Sequence, residues 1–356
     1  MRLLFLAIAR HLPLLALASA PPLVLLACSS TTIVASSPSG GEAGADDSGH
    51  DPEPATPDAG EPPPPAAVPL ELAKGLSASC LAADETAVYA CVSGAVRKIP
   101  VDGSATSVLW TAPSGELVSQ LVRAGQRLFA TTSARLHVVG TDGSGSADLH
   151  TGSRLHRSLT WSSGYVFTLD GTSIVSVPEA GGAAKKGAYD FPTYVRGGGG
   201  YAWLVEGDES SSGFDITVLD ATTMKSALNF SIGNQGASGA KLRHDRLASD
   251  GTRMYTGSAK AVSNRVEIEE YDNPPVGTAN GGIVSRHLGD LTAYAVADLA
   301  ADETGLVVAT NESIYRYDRT AAKFVVVTKG SPADRLAITK RYVFWLDGDT
   351  LRGTPR

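Results

Sequence analysis

LAADET stands at Leu81–Thr86 and again at Leu299–Thr304. A hexapeptide repeated within 356 residues asks whether a longer unit recurs around it. In both copies an apolar residue, here called x, precedes a polar turn and is followed at x+7 and x+8 by apolar residues. The same frame recurs at x = Leu81, Leu121, Leu159, Val195, Leu247, Leu299 and Leu336, with x+8 being Tyr89, Phe129, Phe167, Trp203, Tyr255, Val307 and Phe344. Apolar stretches separated by turns such as VRAGQR, TWSSG and ASDGTR spell a β-hairpin each time.

A third apolar position falls at x+15 in five units, at Val96, Leu136, Ile174, Ile314 and Leu351, and later, near Ile216 and Val266, in the other two. There the spacing predicts a longer connection. Turn residues follow, and a fourth apolar stretch such as Ser107 to Trp110 or Lys323 to Thr328 ends the unit. Units of four strands recurring about every 42 residues have the length of a propeller blade. Consecutive strand residues point to opposite faces, and runs such as Ala87 to Val92 and Tyr342 to Leu346 are apolar throughout, so both faces of each sheet need cover. Blades stacked face to face supply it; the coils of a parallel β-helix are shorter and need no antiparallel hairpins. The reading is an all-β, seven-bladed β-propeller of four-stranded antiparallel blades over residues 68–356. The seventh unit ends at Arg356 without room for a fourth strand, while a spare strand-like piece precedes the first. Residues 68–75 are therefore expected to be the outer strand of the last blade, closing the ring and protecting its edges.

The first hairpin also predicts a disulfide. With its turn at Glu85-Thr86, Cys80 and Cys91 fall directly opposite each other, and a cross-strand bridge suits an oxidising compartment.

Units such as SGYVFTLDGTSIVSVPEAGG (Ser163 to Gly182) and RYVFWLDGDTLRGTP (Arg341 to Pro355) resemble the V-Y-W-T-x-x-G-x-I-x-x-V-P-x-x-G-G repeats of secreted bacterial β-propeller lipoproteins, distant relatives of YWTD-type propellers. The resemblance covers most of Val68 to Arg356 and implies the same fold. No unit carries the full Tyr-Trp-Thr-Asp string; Phe344-Trp345-Leu346-Asp347 comes nearest.

The N-terminus reads as an address. Arg2 and Arg10 precede an apolar run, Leu14 to Ala27, that has signal-peptide length and is too short to span a bilayer. Ala18-Ser19-Ala20 offers an ordinary cleavage site, but Pro21 and Pro22 follow it at once. Leu25-Leu26-Ala27-Cys28 resembles a lipobox, which implies a signal peptide over 1–27 and lipid attachment at Cys28. Ser29 after that cysteine implies, by the same resemblance, sorting to a bacterial outer membrane, with the chain facing the periplasm or the cell surface. Residues 28–67 then form a tether: beyond Cys28 they hold seven acids, no Lys or Arg, and only Ile33 and Val34 as large aliphatics, too little to bury a core. As a coil with a polyproline stretch at Pro62 to Pro65 it reaches roughly 35 Å. Those acids match the whole formal charge of −7, so the domain beyond is close to neutral and has no general attraction for nucleic acid.

No catalytic motif stands out: the chain lacks G-x-S-x-G, H-E-x-x-H, a P-loop and Cys-x-x-Cys. Gly197 to Gly200 reads as a hairpin turn. Glu206, Asp208, Glu209 and Asp215 share a Ser-rich stretch without the spacing of a calcium loop, and read as solvated. No metal or other cofactor is implied. The suggestive feature is positional. His156 and His244 both stand at x−3, where the chain enters an innermost strand, at one mouth of a propeller's channel. With Arg154, Arg157, Lys241, Arg243 and Arg246 nearby they make a candidate basic rim for a ligand. Two function classes follow. The first is a noncatalytic binding or scaffolding propeller, monomeric and held to the membrane by its lipid, that engages an envelope protein, peptide or glycan across this rim. The alternative is a lyase resembling streptogramin-inactivating or polysaccharide-cleaving propellers, with His156 or His244 as general base and only Asp245 as a neighbouring carboxylate.

Overall fold

The computed structural model describes residues 69–155, 158–190, 192–207, 213–233, 246–260, 264–277, 282–330 and 333–356, all within the unit Pro63–Arg356. These residues form seven four-stranded antiparallel sheets. All seven x residues lie on the first strand of a sheet, and each faces the residue at x+9 on the second, from Leu81↔Ala90 to Leu336↔Trp345. The first strands, running from Ala78–Ala83 in blade 1 to Leu336–Ile338 in blade 7, surround a central channel.

Seven buried clusters account for the packing, one for each pair of neighbouring blades, including blade 7 with blade 1. The register explains the repeat. In every blade x and x+7 pack against the preceding blade, and x+8 against the following one. Val88 thus faces blade 7 while Tyr89 faces blade 2, and in blade 7 Val343 faces blade 6 while Phe344 faces blade 1. Successive strand residues divide between two interfaces because their side chains alternate across the sheet. The x+8 positions of blades 1 to 6 are fully buried. Burying a large apolar side chain contributes roughly 1.5–3 kcal/mol.

Ring closure follows the expected route. Strand Leu70–Ala73 pairs antiparallel with the last strand, Thr350–Pro355, completing blade 7 as its outer member. A second fastening sits beside it. The Arg356 guanidinium, with its side chain only 4% exposed, donates to both Asp302 carboxylate oxygens at 2.8 Å and to the Gly305 carbonyl, tying the chain end to blade 6.

The repeated hexapeptide has a local cause. Asp84 accepts from the Thr86 N–H and hydroxyl and the Ala87 N–H on one oxygen, and from the Tyr89 hydroxyl on the other. Asp302 organises the same turn through Thr304, but its unit has Val307 where blade 1 has Tyr89, and Arg356 takes the remaining acceptor capacity. Asp250 repeats the blade 1 arrangement with Thr252, Arg253 and Tyr255.

Three details differ from the sequence reading. Cys80 and Cys91 are bridged, with Cα atoms 5.2 Å apart, but the ladder runs in register only from Leu81↔Ala90 to Ala83↔Val88 and shifts at a bulge between Ala78 and Leu81, so the bridge lies at the bulge and not in an uninterrupted pairing. In blade 5 the extra residues before Val266 lengthen the hairpin itself, which stays paired out to Lys260↔Arg265. Of the glycine run, only Gly199 and Gly200 turn; Gly197 and Gly198 belong to the first strand of blade 4, Pro192–Gly198. A Cβ at Gly198 would come within 2.2 Å of the Ser249 hydroxyl, and one at Gly199, whose φ is +59°, within 1.6 Å of the Gly251 carbonyl, so close approach of blade 5 requires them.

Two outcomes are expected. Arg356→Ala leaves the partly solvated Asp302 without its Nη1 partner and should lower unfolding free energy in urea by about 2 kcal/mol. Burial pushes the Asp250 carboxyl up, but hydrogen bonds from Tyr255, Thr252 and Arg253 outweigh it and hold the group below its ordinary 3.8. A folded value below the unfolded one contributes stability at neutral pH that is lost as pH falls below about 3.8. Asp250→Asn should therefore be less stable than the parent at pH 7, with the gap closing in urea titrations as the pH is taken from 4 to 2.5.

Candidate functional site

Each blade's first strand borders the channel with one edge unpaired, so its N–H and C=O groups need other partners. Side chains supply them. Arg196 of blade 4 donates through Nε to the Leu247 carbonyl of blade 5 (3.0 Å), Arg246 of blade 5 to the Val296 carbonyl of blade 6 (2.8 Å), and Arg335 of blade 7 to the Ser79 carbonyl of blade 1 (3.0 Å). Asp298 of blade 6 accepts the Leu336 N–H of blade 7 on one oxygen and the Leu299 N–H on the other. Ser158 of blade 3 bonds both the carbonyl and the N–H of Val195 in blade 4, and Ser79 donates to the Val118 carbonyl between blades 1 and 2. Six of the seven interfaces are latched in this way, from one blade to the next.

The channel encloses a cavity of about 550 Å³ lined by the first strands of all seven blades. One register dominates its lining: position x−1 supplies Cys80, Gln120, Tyr194, Arg246, Asp298 and Arg335, with Arg196 at x+1 and Arg123 at x+2. The Arg196 guanidinium also lies over the Tyr194 ring, 5.1 Å from its centroid. Arg123 approaches Asp84 at 3.7 Å and so leans toward the turn of blade 1. The guanidinium groups of Arg196, Arg246 and Arg335 therefore lie around one carboxyl. Burial pushes that carboxyl, Asp298, above its ordinary 3.8; the Leu336 N–H and the charges of Arg196, Arg246 and Arg335 offset this only in part.

The structure treats the sequence-predicted rim unevenly. Arg246 lines the cavity. Arg154 is exposed in the turn entering blade 3, where the Ser153 and Arg154 N–H groups donate to Asp170, and it does not line the cavity. His156, Arg157, Lys241, Arg243 and His244 lie outside the described residues, as does Cys28. Sequence reasoning missed Arg196, Arg335 and Asp298. Their signal was available in the frame itself: each is a charged residue within one position of x, on a strand otherwise read only for its apolar side chains.

Of the acids considered in sequence, Glu206 and Asp215 border a separate cleft with Asp190, and Asp208 and Glu209 lie outside the described residues. Burial and the charges of Asp215 and Asp190 push Glu206 up, against a hydrogen bond from Thr217. Among the described residues no three His, Cys, Asp or Glu side chains converge as metal ligands do.

No protein-family model and no curated protein matches the sequence. Solved structures do match the fold. The Pan2 WD40 domain of Neurospora crassa is 10% identical, with a TM-score of 0.55 over 78% of this chain and 88% of its own. A chain of the mitotic checkpoint complex is 11% identical, with a TM-score of 0.56 over 85% of this chain and 96% of its own. The computationally designed Ika8 protein is 13% identical, with a TM-score of 0.52 over 80% and 99%. Identities this low speak to fold alone: the chain is a seven-bladed β-propeller.

Proposed function

We propose that the protein is a lipid-anchored binding module of a bacterial outer membrane, held by Cys28 and displayed on the tether of residues 28–67 as a noncatalytic, monomeric propeller. Its ligand, an envelope protein, peptide or glycan, is engaged at the mouth where the chain enters the first strands, over blades 3 to 5. The observation that carries the reading is the cavity bordered by all seven first strands, in which Arg196, Arg246 and Arg335 lie around Asp298. A pocket of this size with a few fixed polar groups is the usual form of a recognition site. Arg246 joins it to the sequence-predicted rim, since Lys241, Arg243 and His244 lead directly into that residue. A protein partner is in keeping with one structural neighbour, which was solved within the mitotic checkpoint complex. No observation among the described residues favours the lyase alternative over binding.

Two experiments test this. Cys28→Ser should move the protein from the membrane fraction to the soluble fraction; a variant that still sediments with membranes removes the anchor. In capture from envelope extract, His156→Ala, His244→Ala and Arg246→Gln combined should abolish retention of a partner that Arg123→Gln, toward the other end of the first strands, still retains. Equal capture by the two variants overturns the rim as the binding face.

A further inference from the structure

The outer half of blade 2 holds a polar cluster that takes no part in lining the channel. His137, on the third strand Arg135–Gly140, stands opposite Asp148 on the fourth, Ala147–Thr151. Ser146 and Asp148, two residues apart, reach the two ring nitrogens: His137 Nδ1 lies 2.6 Å from Asp148 Oδ1, and Nε2 lies 2.8 Å from Ser146 Oγ. Arg135 donates to the other Asp148 oxygen at 2.6 Å. Burial pushes the Asp148 carboxyl up, but hydrogen bonds from His137 and Arg135 outweigh it and hold the group below its ordinary 3.8. An ionised carboxylate only accepts, so Nδ1 carries the proton shared with it, and the neutral imidazole keeps Nε2 as acceptor for the Ser146 hydroxyl. Hydroxyl, imidazole and carboxylate in this order are the parts of an activated serine nucleophile.

The surroundings suit that chemistry better than a plain clasp between two strands. Trp110 of blade 1 stacks on the imidazole, with ring centroids 4.0 Å apart and planes 9° from parallel. An aromatic face there stabilises the imidazolium that proton transfer creates. His137 is buried while Ser146 is exposed, so the base is shielded from water and the nucleophile is open to a substrate. The N–H groups of Gly145 and Ser146 take no hydrogen-bond partner among the described residues and stand beside the nucleophile, where an oxyanion would need donors. Leu109 flanks the same turn, a methyl group lying 3.7 Å from the place of a Cβ on Gly143, and offers an apolar surface to a short acyl group.

We propose that Ser146, His137 and Asp148 form a serine esterase centre on the outer edge of blade 2, acting on small carboxylic esters. The proposal goes beyond the binding reading: the channel keeps its noncatalytic role, and the chemistry belongs to a separate surface. Ser146 gives its proton to His137 Nε2 as Oγ bonds to the ester carbonyl carbon, and the carbonyl π pair moves onto its oxygen. That pair returns as the bond to the alcohol oxygen breaks, and the alcohol leaves with the proton from His137. Water then follows the same course, releasing the carboxylic acid and restoring Ser146. Asp148 acts as a positioning residue by fixing the tautomer of His137.

The full chain is treated with a fluorophosphonate, which phosphonylates activated serines, and mapped by peptide mass; turnover is followed with p-nitrophenyl acetate. One phosphonyl group should appear, at Ser146. Ser146→Ala, an exposed substitution that leaves packing intact, should abolish labelling and lower turnover at least about 100-fold. His137→Gln should slow the labelling of Ser146 to a similar extent. Asp148→Asn should lower kcat at least about 100-fold with KM little changed, a split that a merely structural role would not produce. Absence of label at Ser146, labelling there that is indifferent to His137→Gln, or turnover that survives Ser146→Ala overturns the proposal. Capture of an envelope partner should be the same for Ser146→Ala as for the parent chain, so the two readings fall separately.

Discussion

Every sheet in this chain has two apolar faces to hide, and that requirement dictates the rest. A lone four-stranded sheet carrying Trp203 on one face and Leu204 on the other has no stable existence in water; each face needs a neighbouring sheet. Stacking sheets in an open row only moves the problem to its ends, where Val88 and Phe344 would stay exposed. Bending the row until blade 7 meets blade 1 puts these two side chains into one cluster and removes both ends at once. Two segments then serve the seam: Leu70–Ala73 adds the outer strand of blade 7, and Arg356, just after its last strand, fastens it to blade 6.

Closing the ring has a consequence at its centre. Seven first strands converge with one edge each unpaired, and among the described residues no further strand pairs them. Backbone groups in that position need hydrogen-bond partners or water. The chain answers with short hydroxyl latches on blades 1 and 3 and with charged latches on blades 4 to 7. A polar channel inside an otherwise apolar stack is thus a product of closure. Its polarity follows from the fold, whereas the choice of arginine over serine does not.

Much of the architecture was legible because large apolar side chains recur at fixed intervals. Leu81, Val88 and Tyr89 already carry the full instruction: two residues face the blade behind and one the blade ahead. Asp84 and Asp302 were legible for a related reason, since a turn that depends on an aspartate accepting from the second residue beyond it must keep both residues. The bulge at Cys80 was not, because a ladder shift depends on how the first strand meets its neighbours and leaves no periodic mark. The latching residues escaped on similar grounds. The x−1 position reads Cys, Gln, Ser, Tyr, Arg, Asp and Arg in successive units, and a search for recurring character passes over a position whose character changes in each copy. The extension of the blade 5 hairpin was hidden too, since an added pair of strand residues and an added loop look alike until their hydrogen bonds are known.

The variation at x−1 is itself informative. Positions that serve only the ring repeat, as x, x+7 and x+8 do, because every interface poses the same packing problem. The latches solve a common problem, the unpaired edge, with serine on blades 1 and 3, arginine on blades 4, 5 and 7 and aspartate on blade 6, so something other than the edge distinguishes the blades. A guanidinium latched through Nε meets the structural need with one nitrogen of its three, as Arg196 and Arg335 do. Arginine latches on blades 4, 5 and 7 and an aspartate on blade 6 give a channel with a definite handedness of charge around its axis. Seven identical wedges cannot generate that asymmetry, and the packing of the ring does not need it.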